Sequence, residues 1–566
     1  MKKNPTRLFC LLLALTAVLS AASCASDPVP PQPGTEADSE SETGDKPGEE
    51  TKMNALEQLS KKYPIAVCKG KVTPTSLTVV GIPKAFSEKV MLGTLQGNLA
   101  NCSESQILFQ AGCIDYYKPC IKDGYGVRFV SGGDAWNVLG KFKNKIAGYI
   151  LCDDGENESV NVAISLCGIL NAVAVQKCDE KLAQTEGLSL ILDVTGKDEA
   201  WLRGSEYFAK LNRKIAVEQP LDKAPKLVDY AVMSGAYFSF YDGHDTEKHS
   251  EKFDFLDDGA VVFGYNNTLG EIQTVDSFGK INACMVPADH AYNLSTLSAF
   301  CKETAEQKTL PAEGSNPEKV HTVCFILSDG DNLQWLNNDF ITSDRWYGSP
   351  LRGEFEMGWG LPATAIDVSA PIVDYLYDTM KPTDEFIMEL SGLGYTFPSR
   401  WDPDELTGMT YDLASYMKRS GLKYAEVLDD HGFNTDVLSA FTYQEGIDGV
   451  FYIDYGNYAE YKGKILWSDG KPIVSARYRL WNGLEDGKIE NVAAGINKAS
   501  RDPSSPDAYS FVIVHAWSGA DENGKQTDGG SSLRAISEVI DLLKADVDVV
   551  TPTEFMDRIV RNLGKD

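Results

Sequence analysis

From His321 to the C-terminus, eight apolar runs of strand length follow one another, with helical segments between most of them. They read HTVCFILSDGDN, EFEMGWGLPA, EFIMELSGLGYTFP, KYAEVLDDHG, DGVFYIDYGNY, KPIVSARYRLW, YSFVIVHAWS and VDVVTPTEF. The intervening SAPIVDYLYDTM, DELTGMTYDLASYMKRSG, IENVAAGINKAS and SLRAISEVIDLLKAD carry apolar residues at three- and four-residue spacing, the stripe of a helix packed on one face. Strands that alternate with helices predict a parallel α/β architecture. Over residues 318–566 the expectation is a (β/α)8 TIM-like barrel, in which chemistry gathers where strands end. Asp402 is placed to cap the second of these helices, with Pro403 at its first position.

Upstream, LTVVGIP, AGYILCD, LSLILDV, KLVDYAVMSG and GAVVFGY read as strands, and VNVAISLCGILNAVAVQ and EAWLRGSEYFAKLN as helices. These predict two or three small α/β subdomains ahead of the barrel, divided as 54–186 and 187–317. A break falls near Gly187, unless residues 188–194 complete the first unit. TLPAEGSNPEK, with Pro311, Gly314 and Pro317, marks the boundary with the barrel.

The chain begins with Lys2, Lys3 and Arg7, then the apolar LFCLLLALTAVL and the small residues of SAASC. That is a targeting segment, residues 1–23, too short to span a bilayer, which needs about 20 apolar residues. SAASC resembles a bacterial lipoprotein cleavage site, with Cys24 as the lipid-bearing residue; a plain secretory signal is the alternative. Residues 24–53 read as a disordered acidic tether: positions 25–52 hold five prolines and eight carboxylates against two lysines. The expected location is extracytoplasmic, lipid-anchored to a bacterial membrane.

A net charge of −29 over 566 residues, with no basic stripe, excludes nucleic acid as a partner. Ten cysteines lie between Cys68 and Cys324 and none follow. Runs such as AISLCGIL and TVCFIL place them as small apolar residues, so mostly free thiols are expected.

Candidate chemistry sits at the strand ends. In SDGDN, Asp329 and Asp331 flank Gly330, close enough to push their proton affinities apart, with Asn332 beside them; the alternatives are a divalent-cation site or a helix-capping turn. Glu389 lies in the third strand, Asp429 and Asp430 (beside His431) end the fourth, and Asp454 ends the fifth. Glycosidic cleavage needs a proton donor and a second carboxylate flanking one bond, which such a set could supply. His515 and Trp517 end the seventh strand. Trp359, Trp401 and Trp517 are the ring candidates for stacking on sugars, others of the tryptophans serving as packing. Arg477 and Arg479 share one side of the sixth strand, placed to hold carboxylates or an acidic sugar. His244 and His249, in DGHDTEKH, read as a solvated surface loop. No G-x-S-x-G elbow, H-E-x-x-H pair or phosphate loop is present.

The segment GLGYTFP, residues 392–398, resembles the signature of the GxGYxYP putative glycoside hydrolases, with Phe397 in place of the second tyrosine. Residues 321 to the end resemble that family's C-terminal domain, and the α/β region its N-terminal companion. The resemblance implies a glycoside hydrolase but transfers no catalytic roles. Read from the residues, the two glycines turn the chain sharply and place Tyr395 at the barrel mouth, either against sugar or filling the barrel top. The functional expectation is cleavage of an extracellular oligo- or polysaccharide without a cofactor. The alternatives are a non-catalytic carbohydrate-binding lipoprotein, or a metal-dependent hydrolase or deacetylase using Asp329, Asp331 and His515.

Overall fold

The computed structural model describes residues 67–308 and 319–564. The expected leader, Cys24 and the acidic tether lie outside the described residues. No helix among the described residues is long and apolar enough to cross a membrane.

Three small parallel sheets precede residue 300. β1 (Ser76–Val80) lies between β2 (Ser105–Phe109) and β3 (Arg128–Ser131), and β4 (Gly148–Cys152) between β5 (Ala172–Gln176) and β6 (Leu190–Asp193). β6, just past Gly187, completes the second sheet by pairing with β4, the alternative the sequence left open. The third sheet runs β10 (Ala283–Pro287), β9 (Ala260–Gly264), β7 (Ile215–Glu218), β8 (Tyr237–Ser239).

Two elements differ from the sequence expectation for local reasons. The helix expected through VNVAISLCGILNAVAVQ stops at Leu170, because Asn171 takes a left-handed conformation (φ 50°) and turns the chain into β5. KLVDYAVMSG is not a strand but the buried helix Val228–Ser234; a short, mostly apolar run has too little periodicity to separate the two. That helix packs so closely on the helix Phe86–Cys102 that a Cβ on Gly97 would lie 2.3 Å from the Asp229 carbonyl oxygen.

The C-terminal half is built on one ten-stranded sheet. Its strands are β11 (His321–Leu327), β12 (Met357–Leu361), β13 (Asp384–Met388), β14 (Tyr424–Asp429), β15 (Gly449–Asp454), β16 (Ile465–Ser468), β17 (Lys471–Ser475), β18 (Tyr478–Leu480), β19 (Tyr509–Val514) and, after the hairpin of β20 (Ser518–Ala520) and β21 (Gln526–Asp528), β22 (Val547–Val549). The order is β16-β17-β15-β14-β13-β12-β11-β19-β18, parallel except for β16. This is a curled half-barrel, not the regular eightfold ring expected. β19 pairs directly with β11 over six residues, so the eighth run, β22, cannot sit between them; it pairs only with His321, Thr322 and Val323. The sixth run breaks into β17 and β18, which pair with different neighbours, β15 and β19.

β11 to β15 are buried along their whole length, as strands covered on both faces must be. The helix Pro403–Ser420 forms as its sequence dictates: Asp402 accepts from the Asp404 amide, Pro403 starts the helix, and Gly421 ends it at φ 68°. Every cysteine among the described residues is a free thiol. Burial holds Cys167 and Cys324 well above the ordinary thiol range, so they pack as apolar groups.

Candidate functional site

The carboxyl ends of β11 and β13 bring acidic groups together. After β11 the chain turns at Asp329, in the left-handed region at φ 69°; after β13 it does so at Ser391, φ 61°. Such conformations in non-glycine residues concentrate where surrounding structure enforces a geometry. Between the two turns sits Glu389. Its Oε2 accepts from the Gly330 amide. Two glycines make room for it: a Cβ on Gly360 would lie 2.1 Å from the Glu389 Cδ, and one on Gly330 would lie 2.3 Å from the Gly360 Cα. β14 adds Glu426, whose side chain projects into the same space.

Asp331, Glu389 and Glu426 are buried, at 4%, 1% and 0% exposure. Asp331 Oδ2, Glu389 Oε1 and both oxygens of Glu426 have no hydrogen-bond partner among the described residues. Burial, then the neighbouring carboxylates, holds all three well above the ordinary carboxylate range: Glu426 and Asp331 act on Glu389, and Asp329 acts on each. Desolvation and mutual repulsion thus oppose ionisation of all three.

Asp329 is the solvent-facing member, half-buried, accepting from Trp517 Nε1 at 3.0 Å and from the Ser328 hydroxyl. Asn332 Nδ2 bonds the Asp329 carbonyl (3.1 Å) and Asp331 Oδ1 (3.2 Å). Trp517 is 40% exposed and leans on Trp335 and Trp346, so its indole both borders solvent and fixes Asp329. His515 stacks on Trp481 at 3.7 Å and 8°, and burial depresses its basicity against the pull of Asp329.

Other expected residues lie elsewhere. Asp429 is taken up by the Ser399 amide and hydroxyl and the Asp430 amide, and Asp454 by the amides of His431 and Gly456. Asp430 pairs with Arg400 at 2.7 Å. Their acceptors serve turns and ion pairs outside the carboxyl cluster. Trp359 is core, donating to Asp384, and Trp401 is buried with its indole on Thr396, so neither offers a ring for stacking. Arg477 bonds the carbonyls of Tyr509 and Pro506 and pairs with Asp507; Arg479 pairs with Asp486. His249 is not on a solvated loop: it is buried, with Nε2 2.9 Å from Glu218 and Nδ1 2.7 Å from Ser277 Oγ. Among the described residues no group of three or more His, Cys, Asp or Glu side chains is arranged to hold a metal ion.

The GLGYTFP segment does not lie open at the sheet's mouth. Tyr395 is buried and forms a backbone bridge with Met285 of β10, donating to its carbonyl at 2.6 Å and accepting from its amide at 2.9 Å. A Cβ on Gly394 would lie 2.6 Å from the Met285 oxygen, so glycine is what permits this approach. The Tyr395 hydroxyl donates to Glu271 Oε1 at 3.0 Å, and Phe397 packs between Tyr395 and Tyr455.

Sequence reasoning did not single out Glu426, Glu271, Trp481 or Tyr458, whose ring packs on Trp481 at 5.1 Å. Glu426 left a trace: it is a carboxylate in mid-strand, flanked by Tyr424, Ala425, Val427 and Leu428. Nothing local links Glu271 to residues more than fifty positions away.

Residues 319–560 match the GxGYxYP putative glycoside hydrolase C-terminal domain, residues 146–211 the GxGYxYP_N second domain, and residues 212–299 the GxGYxYP third domain. The chain belongs to the GxGYxYP putative glycoside hydrolase family. A solved structure described as a putative hydrolase from Bacteroides thetaiotaomicron VPI-5482 superposes with a TM-score of 0.78 at 29% identity, covering 88% of this chain and 97% of that one. No curated protein matches the chain.

Proposed function

We propose that this protein is a glycoside hydrolase whose reaction takes place at the carboxyl ends of β11 and β13, on an oligo- or polysaccharide outside the cytoplasm. The observation that carries the reading is the pairing of unlike carboxyl groups: Asp329 faces solvent and receives two donors, while Asp331, Glu389 and Glu426 beneath it are buried with unpartnered oxygens. Glycoside hydrolysis needs unequal carboxyls, one holding a proton for the leaving oxygen and one acting as nucleophile or base; the buried three shape the field around Asp329 rather than meet substrate. Asp329 is assigned the second role, with Trp517 both orienting it and offering a ring edge to sugar. The buried carboxyls limit how far charge can build under Asp329. The apolar leader and Cys24 add a location: a lipid-anchored enzyme on an acidic tether, reaching glycan away from the membrane.

The test is a product assay on a broad glycan library with the wild-type chain and Asp329→Asn. The wild type releases sugars from at least one glycan, and the variant loses 10³-fold or more, of the order expected when a nucleophile or base is removed, with an unchanged thermal transition. Full turnover by the variant, or no product from any glycan, refutes the reading.

A further inference from the structure

The carboxyls supplied by the C-terminal sheet stand in two tiers, and only one reaches solvent. Asp331, Glu389 and Glu426 are 4%, 1% and 0% exposed, so none of them meets a glycosidic oxygen without the site being dismantled. Within the cluster Asp329 faces outward, Asp430 being paired with Arg400 instead, and one carboxyl does not complete acid–base cleavage.

The second outward carboxyl comes from the α/β region. Glu271 opens the helix Glu271–Gly279, which follows β9. It is half-buried, not sealed. Its Oε1 accepts from the Tyr395 hydroxyl at 3.0 Å, and its Oε2 takes no partner among the described residues. Burial, then the charge of Asp329, raises its proton affinity, and Glu271 in turn raises that of Asp331, so the three sense one another across the seam. The phenols of Tyr265, Tyr455 and Tyr458 are held un-ionised by burial, with Glu271 adding to the effect. The seat is fixed from both sides. The Tyr395–Met285 bridge sets the motif against β10, and Arg400 joins Asp276 of the same helix to Asp430 after β14, at 2.7 Å to each.

We infer that Glu271 is the proton donor of the site, facing Asp329 across the seam between the α/β region and the C-terminal sheet, and that Tyr395 of the GLGYTFP segment is the residue that positions it. This rests on the assignment of Asp329 above. Glu271 gives its proton to the glycosidic oxygen as the bond from that oxygen to the anomeric carbon breaks, and the bonding pair leaves with the aglycone as an alcohol. Asp329 either bonds to the anomeric carbon or takes a proton from the attacking water. In both courses one water is consumed and its hydroxyl ends on the sugar. Its proton returns Glu271 to the acid form, directly in the first course and through Asp329 and solvent in the second.

The experiment compares 2,4-dinitrophenyl, 4-nitrophenyl and methyl glycosides of the common hexoses, using the full chain. A dinitrophenolate leaves without protonation; methoxide does not. Glu271→Gln therefore keeps kcat/KM within about tenfold of wild type on the dinitrophenyl glycoside and loses about 10²–10⁴-fold on the methyl glycoside, the usual worth of general acid catalysis. Tyr395→Phe, which keeps the acid but releases its seat, shows the same dependence on the leaving group at smaller size. Equal loss on all three glycosides, or loss on none, overturns the inference while leaving the wild-type activity and the Asp329→Asn result intact. Absence of wild-type turnover on every glycoside overturns the inference and the underlying reading together.

Discussion

Glu426→Gln tests the buried tier through stability alone. Glu426 is fully buried and neither of its oxygens has a partner among the described residues, so its ionised form is opposed both by desolvation and by Asp331 and Asp329. Its affinity for a proton is raised in the folded chain, while in the unfolded chain it ionises near pH 4.3. The folded state thus binds more protons above that pH, and stability falls as pH rises. The slope is about 1.4 kcal/mol per pH unit for one group, and it continues until the folded group itself ionises. Glutamine keeps the shape and does not titrate. At pH 4 the two proteins unfold at nearly the same denaturant concentration. Above about pH 4.3 the variant gains on the wild type by at most about 1.4 kcal/mol for each pH unit, and the gap stops growing once the folded group ionises. The assay is guanidinium unfolding at pH 4, 5, 6 and 7, with the slope on denaturant held as a check that the same surface unfolds. A gap that is constant across this range, or that grows toward acid, refutes the placement of Glu426 as a proton-bearing buried carboxyl.

Two further outcomes follow from geometry. Gly394→Ala puts a methyl 2.6 Å from the Met285 oxygen and forces the Tyr395–Met285 bridge open, costing about 2–4 kcal/mol as two buried backbone hydrogen bonds are lost, whereas Gly81→Ala, whose Cβ meets nothing within 4 Å, stays within about 0.5 kcal/mol; denaturant midpoints decide between them. Glu218→Gln turns one buried acceptor, shared by His249 and Asn266, into a donor facing them, and lowers stability by about 1–3 kcal/mol in urea unfolding, where a value near zero would show that the His249 pocket is not held by that carboxylate.

The part of the carboxyl cluster that lies at strand ends was legible in the sequence. Asp329, Asp331, Asn332, Glu389, His515 and Trp517 all follow a parallel strand, and the structure groups them because parallel strands end on one side. The same rule also drew in Asp429, Asp430 and Asp454, which lie at strand ends but are consumed by neighbouring amides and Arg400; hydrogen-bond satisfaction has no sequence signature. Glu426 went unseen because strand alternation assigns a mid-strand carboxylate to solvent, whereas β14 is buried along both faces. The barrel expectation failed at its last step for a related reason. Eight apolar runs specify eight strands but not their neighbours, and β19 reaching β11 is decided by packing across the whole sheet. His249 was misread because its polar neighbours in DGHDTEKH form the exposed side of the helix Thr246–Phe253, while the histidine itself faces inward.

The bridge between Tyr395 and Met285 changes what the motif means when it is met in another chain. Its Gly394 and the Tyr395 backbone are spent on joining two parts of the molecule, so the motif advertises a companion sheet as well as a seat for an acid. A chain bearing the motif without an equivalent of β10 would leave an unsatisfied backbone edge where Met285 stands here, and the acid anchored by that tyrosine would have no helix to come from.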